Sequence, residues 1–204
     1  MESSWWSTTF RCGSMSETNT NIPVDLEARR EHERKKYLAL EGTRYGSSNH
    51  GQHAYSLVQG FTPRPRFVVD FGCGRNLFIQ HLRRLGIDGL GVDFAFPDAD
   101  MVAPMHRVPL SAGIAEVVTA FDALEHLLPE EVDEVLDEMR RIAVPGGRFV
   151  FSICTRESKT KVNGEGLHPT VRSRAWWLER IGRVGTVRQG LGAPRYIAGV
   201  FNNA

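Results

Sequence analysis

The sequence predicts an α/β fold built on a mostly parallel sheet, and three segments carry that reading. Residues 67–76, Phe-Val-Val-Asp-Phe-Gly-Cys-Gly-Arg-Asn, run apolar into Asp70, turn tightly between Gly72 and Gly74, and pass into a helical pattern of Leu77, Phe78, His81, Leu82 and Leu85. Gly91-Val92-Asp93 is a second apolar run ending in an acid, about 20 residues on, where a ribose would be gripped. Val117 to Asp122 is a third run. Each reads as a buried strand, and the first leads through a turn into a helix whose N-terminus faces a ligand.

The elements follow in chain order. Residues 1–22 are rich in Ser and Thr without helical or strand period, and read as a disordered tail. Trp5-Trp6 within it is either a docking motif or part of an extension before Met15. Residues 23–60 read as an N-terminal helical cap or lid. Within it, 24–41 form a charged, solvated helix carrying Leu26, Tyr37, Leu38 and Leu40, and 42–53 form a loop rich in Gly, Ser and His. His50 and His53 of that loop either line a substrate mouth or are simply solvated. Residues 61–204 form the main domain. After the third run come Ala123-Leu124-Glu125-His126-Leu127-Leu128 and a charged amphipathic helix, Pro129 to Arg141, with Val132, Val135, Leu136 and Met139 on its apolar face. Val144-Pro145-Gly146-Gly147 is a turn, and Arg148 to Cys154 a strand. Thr170 to Ile181 is helical, and Gly185–Gln189 and Arg195–Phe201 read as a terminal β-hairpin.

Composition bounds the classes. The chain has 204 residues, enough for one domain with a small cap, and 41% hydrophobic content fills a core. A net charge of +1 gives no global case for nucleic acid or membrane. The three cysteines have no C-x-x-C or zinc-like spacing, which points to a reducing, cytoplasmic compartment. No apolar run reaches membrane-spanning length, and the N-terminus lacks the apolar region of a signal peptide.

The glycine turn narrows the ligand. A dinucleotide fingerprint needs a third glycine where Leu77 stands, so a pyrophosphate reader is disfavoured. The pattern D-x-G-x-G-x-N instead resembles the first motif of class I S-adenosylmethionine (SAM)-dependent methyltransferases. Asn76 replaces that family's usual last glycine, and Asn is the next most tolerant of left-handed backbone. The order after it, from the Leu-Glu-His-Leu segment through a helix and a Pro-Gly-Gly turn to a strand, resembles the same family over residues 64 to 154, and more loosely to 204. The Tyr-Gly-x-x-Asn-His-Gly lid and the Leu-His-Pro-Thr-x-Arg loop look like small bacterial and phage members. The resemblance implies a three-layer α/β/α sandwich whose seven-stranded, mostly parallel sheet ends in an antiparallel C-terminal hairpin. It implies SAM as cofactor, with S-adenosylhomocysteine as product. Asp70 would orient the turn or the cofactor ammonium, the Gly72–Gly74 turn up to Asn76 would offer amides to the methionine carboxylate, and Asp93 would accept both ribose hydroxyls. Phe94, and Phe121 at the end of the third run, would flank the cofactor, and Tyr45 would contact its methionine end. Pro104 stands where many relatives carry an acid for adenine, leaving Met105 as the substitute.

Methyl transfer needs in-line alignment and, for a hydroxyl acceptor, removal of a proton. Asp122 and His126 share one face at a spacing of four, and His168 lies in the loop after the 148–154 strand; these three are the candidate catalytic residues. No Asp-Asp or Asp-Asn cluster of the magnesium-using kind is present, and Glu125 with His126 could ligate a metal only with help from distant residues, so metal independence is expected. The Asn/Asp-Pro-Pro-Tyr/Phe motif of DNA amino-methylation and a Pro-Cys nucleophile are both missing, which makes nucleic acid an improbable partner. From Gly147 to Ala204 ten basic residues face three acidic ones; this is either solvated surface or steering for an anionic acceptor. The reading is O-methylation of a small-molecule or glycan hydroxyl. Two others stay open: methylation of RNA or protein, and a non-catalytic SAM-binding sensor or partner subunit.

Overall fold

The structure is a computed structural model that describes residues 25–47, 51–188 and 195–202. The reading of residues 1–22 and His50 lies outside these. Two helices come first, α1 (Leu26–Leu38) and α2 (Gly51–Gln59). Then follow β1 (Phe67–Phe71), α3 (Leu77–Arg84), β2 (Asp88–Asp93), β3 (Met101–Val102), β4 (Ala115–Phe121), α4 (Val132–Ile142) and β5 (Ala143–Ser152). A small hairpin, β6 (Lys161–Val162) and β7 (Glu165–Gly166), precedes α5 (Arg174–Val184), β8 (Gly185–Arg188) and β9 (Tyr196–Phe201).

The sheet runs β3-β2-β1-β4-β5-β9-β8. Its first five strands are parallel, and β9 is antiparallel to both β5 and β8. This is the seven-stranded, mostly parallel sheet with an antiparallel C-terminal hairpin. Strand order reverses direction between β1 and β4, so the chain leaves a crevice above the carboxyl ends of those strands.

Both sheet faces are covered. On one, α4 and α5 press Leu136, Met139, Ile142, Trp177 and Ile181 onto Val69, Phe71 and Val118. On the other, Val58 of α2 and Phe78, Ile79 and Leu82 of α3 cover Val68, Val117 and Val150. The helix expected over Pro129–Arg141 starts at Val132, after a turn in which the Leu128 amide donates to Glu131 Oε2 at 2.9 Å. The Val144–Gly147 turn lies inside β5, where Ala143 pairs with Ala115 and Arg148 with Val117, so the turn is an excursion between two paired stretches.

The helix expected to be solvated is instead docked. Tyr37, Glu33 and Lys36 of α1 are buried, and Tyr37 packs with Leu40, Phe96 and Leu167 in a third cluster. Lys36 can be buried because it pairs with Glu33 at 2.6 Å and donates to the Gly166 carbonyl at 3.1 Å. Arg29 and Arg30 tie α1 to Glu130, Glu131 and Glu134 around the start of α4. Among the described residues, no helix is long and apolar enough to cross a membrane.

Candidate functional site

Under α1, at the carboxyl ends of β1, β2 and β4, lies a cavity of about 690 Å³. At that size it accommodates a nucleoside-sized ligand with a second small molecule beside it.

One end is built by the glycine turn. Gly72 sits at φ +69°, and an added Cβ would overlap the Ala123 methyl, so the tight neighbour there is the chain itself. The amides of Gly72 and Cys73 both donate to the Val92 carbonyl, at 2.8 and 3.0 Å, and the Gly74 amide donates to Asp93 Oδ2 at 2.9 Å. The turn is therefore pinned to β2. The amides of Gly72, Cys73 and Gly74, expected to meet a carboxylate, are engaged within the protein. Asp93 is 4% exposed and also accepts the Ala95 and Phe96 amides through Oδ1, at 2.8 and 3.0 Å. Burial pushes its pKa up, and the backbone amides oppose that shift. With Oδ1 holding two N–H groups, Oδ2 keeps one lone-pair direction for a ligand hydroxyl, where the bidentate expectation needs two.

Phe94, Pro104, Met105 and Phe121 continue this wall. Asp70 and Asn76 do not reach it. Asp70 is buried beneath the turn and accepts from Thr119 Oγ1 on β4 at 2.6 Å, and burial raises its pKa to about 7. Asn76 caps α3 in the left-handed region, φ 59°, and its side chain packs against Gly91.

Tyr45 closes the cavity from the loop after α1, stacked on Phe96 and lifted by burial to a pKa of about 12. Arg75, from the glycine turn, holds that loop by donating to the carbonyls of Tyr45 and Thr43 at 3.0 and 2.8 Å. His53 lies outside the cavity wall, paired with the Tyr196 hydroxyl at 2.5 Å.

The other end gathers Asp122, Glu125, His126 and His168. Asp122 occupies a left-handed position, φ 49°, which ends β4 and turns its carboxylate toward Ser152 Oγ and Arg195, at 3.0 and 2.5 Å. His126 follows on a 3₁₀ turn, Leu124–His126. Its Nδ1 faces the Leu167 carbonyl at 2.6 Å and the Tyr37 hydroxyl, which also donates to Leu167 at 3.1 Å. A carbonyl only accepts, so Nδ1 carries the proton and Nε2 keeps its lone pair. Burial lowers the His126 pKa to about 4, and the imidazole is neutral at physiological pH. The His168 ring lies 4.7 Å from it, centroid to centroid. Glu125 is fully buried, its Oε1 accepts the Cys154 amide at 3.0 Å, and burial raises its pKa to about 8.

The structure thus brings ten of the twelve sequence-nominated residues to one cavity and leaves Asp70 and Asn76 beneath it. Sequence reasoning passed over Tyr37 and Arg75 and weighed Glu125 only as a metal ligand, then set it aside. Glu125 had a usable signal: an acid at the centre of an apolar Leu-Glu-His-Leu segment is buried or functional. Tyr37 and Arg75 act through long-range contacts that leave no local pattern.

A methyltransferase-domain family model matches residues 32–188. Among curated proteins, a ubiquinone biosynthesis O-methyltransferase of Methylococcus capsulatus is 28% identical over 110 residues, covering 46% of this chain and 46% of that protein. A probable tRNA (uracil-O(2)-)-methyltransferase of Caenorhabditis briggsae is 46% identical over 37 residues, covering 18% of this chain and 7% of that protein. The matches span less than half the length of these relatives. Among solved structures, the Burkholderia thailandensis 1,6-didemethyltoxoflavin-N1-methyltransferase, with 1,6-didemethyltoxoflavin and S-adenosylhomocysteine bound, superposes with a TM-score of 0.69 at 15% identity. That alignment covers 89% of this chain and 92% of that one, a likeness of fold.

Proposed function

The chain belongs to the class I SAM-dependent methyltransferase family, and from that premise we propose that it transfers a methyl group from SAM to a hydroxyl of a small molecule or glycan. The observation that carries the reading is the division of one cavity into two ends. A glycine turn with a buried ribose-type acid forms one, and a histidine pair with a free ring nitrogen forms the other. SAM is placed with its ribose at Asp93, its adenine between Phe94 and Met105, and its methionine end toward Tyr45. The sulfonium methyl then points at the acceptor end. The acceptor oxygen forms a bond to the methyl carbon, the carbon–sulfur pair leaves on sulfur to give S-adenosylhomocysteine, and the hydroxyl proton passes to a group beside it. His126 and His168 are suited to that role by geometry, and Asp122 is held off it by Arg195. Hydroxyl acceptance is further supported by the 28% identity to an enzyme named for O-methylation.

The excess of basic residues after Gly147 favours an anionic acceptor, drawn in along the loop carrying Arg156, Lys159 and Lys161. With labelled SAM and a panel of hydroxyl acceptors, neutral and phosphorylated, radiolabel is expected in an ether product. The rate on the anionic members is expected to fall with salt. Labelled product appearing on RNA or protein alone would contradict the reading. S-adenosylhomocysteine binding with no product on any acceptor would transfer the chain to the sensor class.

A further inference from the structure

At the acceptor end, Glu125, His126 and His168 each place one donor atom within 4.8 Å of the others. Glu125 and His126 alone lack a third donor; the loop after β5 supplies it. That loop is fastened to the 124–127 segment three times. The Thr170 amide donates to the Glu125 carbonyl at 3.2 Å, Thr170 Oγ1 donates to the Leu127 carbonyl at 2.6 Å, and the Leu167 carbonyl receives His126 and Tyr37.

The donor atoms are also prepared in the way ligands are. Both histidines turn Nδ1 to a backbone carbonyl, His126 to Leu167 at 2.6 Å and His168 to Arg156 at 2.7 Å. Each carbonyl fixes the proton on Nδ1, aims the ring, and leaves Nε2 as a lone-pair donor, the usual outer-sphere support of a metal-bound histidine. Glu125 contributes one satisfied oxygen, Oε1, and one orphan: Oε2 is buried with no hydrogen-bond partner. An oxygen of a fully buried acid left without a partner is costly, and a cation is one group that would meet it.

We propose that Glu125, His126 and His168 form a binding site for one divalent first-row cation of the zinc, manganese or ferrous type, open on the side facing the acceptor. Two imidazoles and a carboxylate suit such ions better than magnesium or calcium, which prefer oxygen ligands throughout. Ligand atoms around a cation at about 2.0–2.2 Å stand roughly 3–4 Å apart, so loading asks the cluster, whose donor atoms lie within 4.8 Å, to contract by up to about 1–2 Å. Three protein ligands leave coordination positions for an acceptor oxygen, whose proton then departs more readily to cavity water. This role rests on the proposed methyl transfer to a hydroxyl; the binding of the cation does not. In it, the ring nitrogens act through the ion instead of as bases.

The test uses the full chain, stripped with a chelator and titrated with Co2+, with visible absorption following the metal and calorimetry with S-adenosylhomocysteine run on the same samples. One equivalent of Co2+ with ligand-field bands is expected, displaced by Zn2+. His168→Ala and Glu125→Gln are each expected to weaken Co2+ at least about 10-fold while S-adenosylhomocysteine binding persists and reports an intact fold. No saturable Co2+ binding, or binding indifferent to His168→Ala, overturns the site. Co2+ binding without S-adenosylhomocysteine binding upholds the site and removes the methyltransferase role assigned to it.

Discussion

Asp70 and Asp93 end neighbouring strands and do different work. Asp93 is held by three backbone amides and borders the cavity; Asp70 is held by one hydroxyl and borders only the core. The unfolded chain ionises Asp70 near its ordinary 3.8, whereas burial delays this to about 7 in the fold. The folded state therefore binds the proton more tightly, and Asp70 costs stability increasingly as pH rises from about 4 to about 7. Asp70→Asn keeps an acceptor for Thr119 and is expected to raise stability at pH 7 by roughly 1–3 kcal/mol, with no gain at pH 3.5. Denaturant melts at the two pH values check this; a pH-independent effect would contradict the burial argument. Both acids were legible as strand-ending carboxylates. Which one met the ligand was not, because β1 is buried on both faces and its apolar run hides the alternation. Val68 packs with the α2–α3 side and Val69 with the α4–α5 side, which puts Asp70 on the former face.

Element types could be read from periodicity, because amphipathic helices and apolar runs differ in period. The α1 helix shows what periodicity cannot carry. Its charge suggests solvent, but Glu33 and Lys36 neutralise each other, and the partners that let Lys36 sink, Gly166 and Glu165, are some 130 residues away. The same holds for the loop that follows, fastened by Arg75 from the glycine turn. Arg75 couples turn and lid, so Arg75→Ala is expected to free residues 43–45, weaken S-adenosylhomocysteine about 5- to 20-fold, and leave the melting temperature within a few degrees of wild type, since the bonds lost are charge-assisted ones at a surface loop. Calorimetry with a parallel thermal melt tests the pair. Unchanged affinity would mean the loop does not close on the cofactor.

At the scale of the whole molecule, the seven-stranded, mostly parallel sheet and its terminal hairpin were implied by a succession of motifs, each weak alone, while the strand order came from the structure. The charge distribution did not follow from counting. Arg180 and Arg183 of the basic C-terminal third pair with Asp133 on α4, and Arg195 pairs with Asp122, so two acids from elsewhere in the chain offset part of the local excess. The fold itself rests on the two-sided packing of the sheet. Leu136 is fully buried where α4 meets β4 and β5, and Leu136→Ala is expected to cost about 2–5 kcal/mol in denaturant unfolding. A loss below about 1 kcal/mol would place the stabilising core elsewhere.

The central claim is that the glycine turn and Asp93 hold SAM. Calorimetric titration with S-adenosylhomocysteine, SAM and NAD, on wild type and Asp93→Ala, tests it most directly. The account predicts micromolar binding of the first two, none of NAD, and a loss of about 2–3 kcal/mol or more in the variant, the worth of charge-assisted hydrogen bonds to a buried acid. Binding of NAD instead, or SAM affinity untouched by Asp93→Ala, would contradict it.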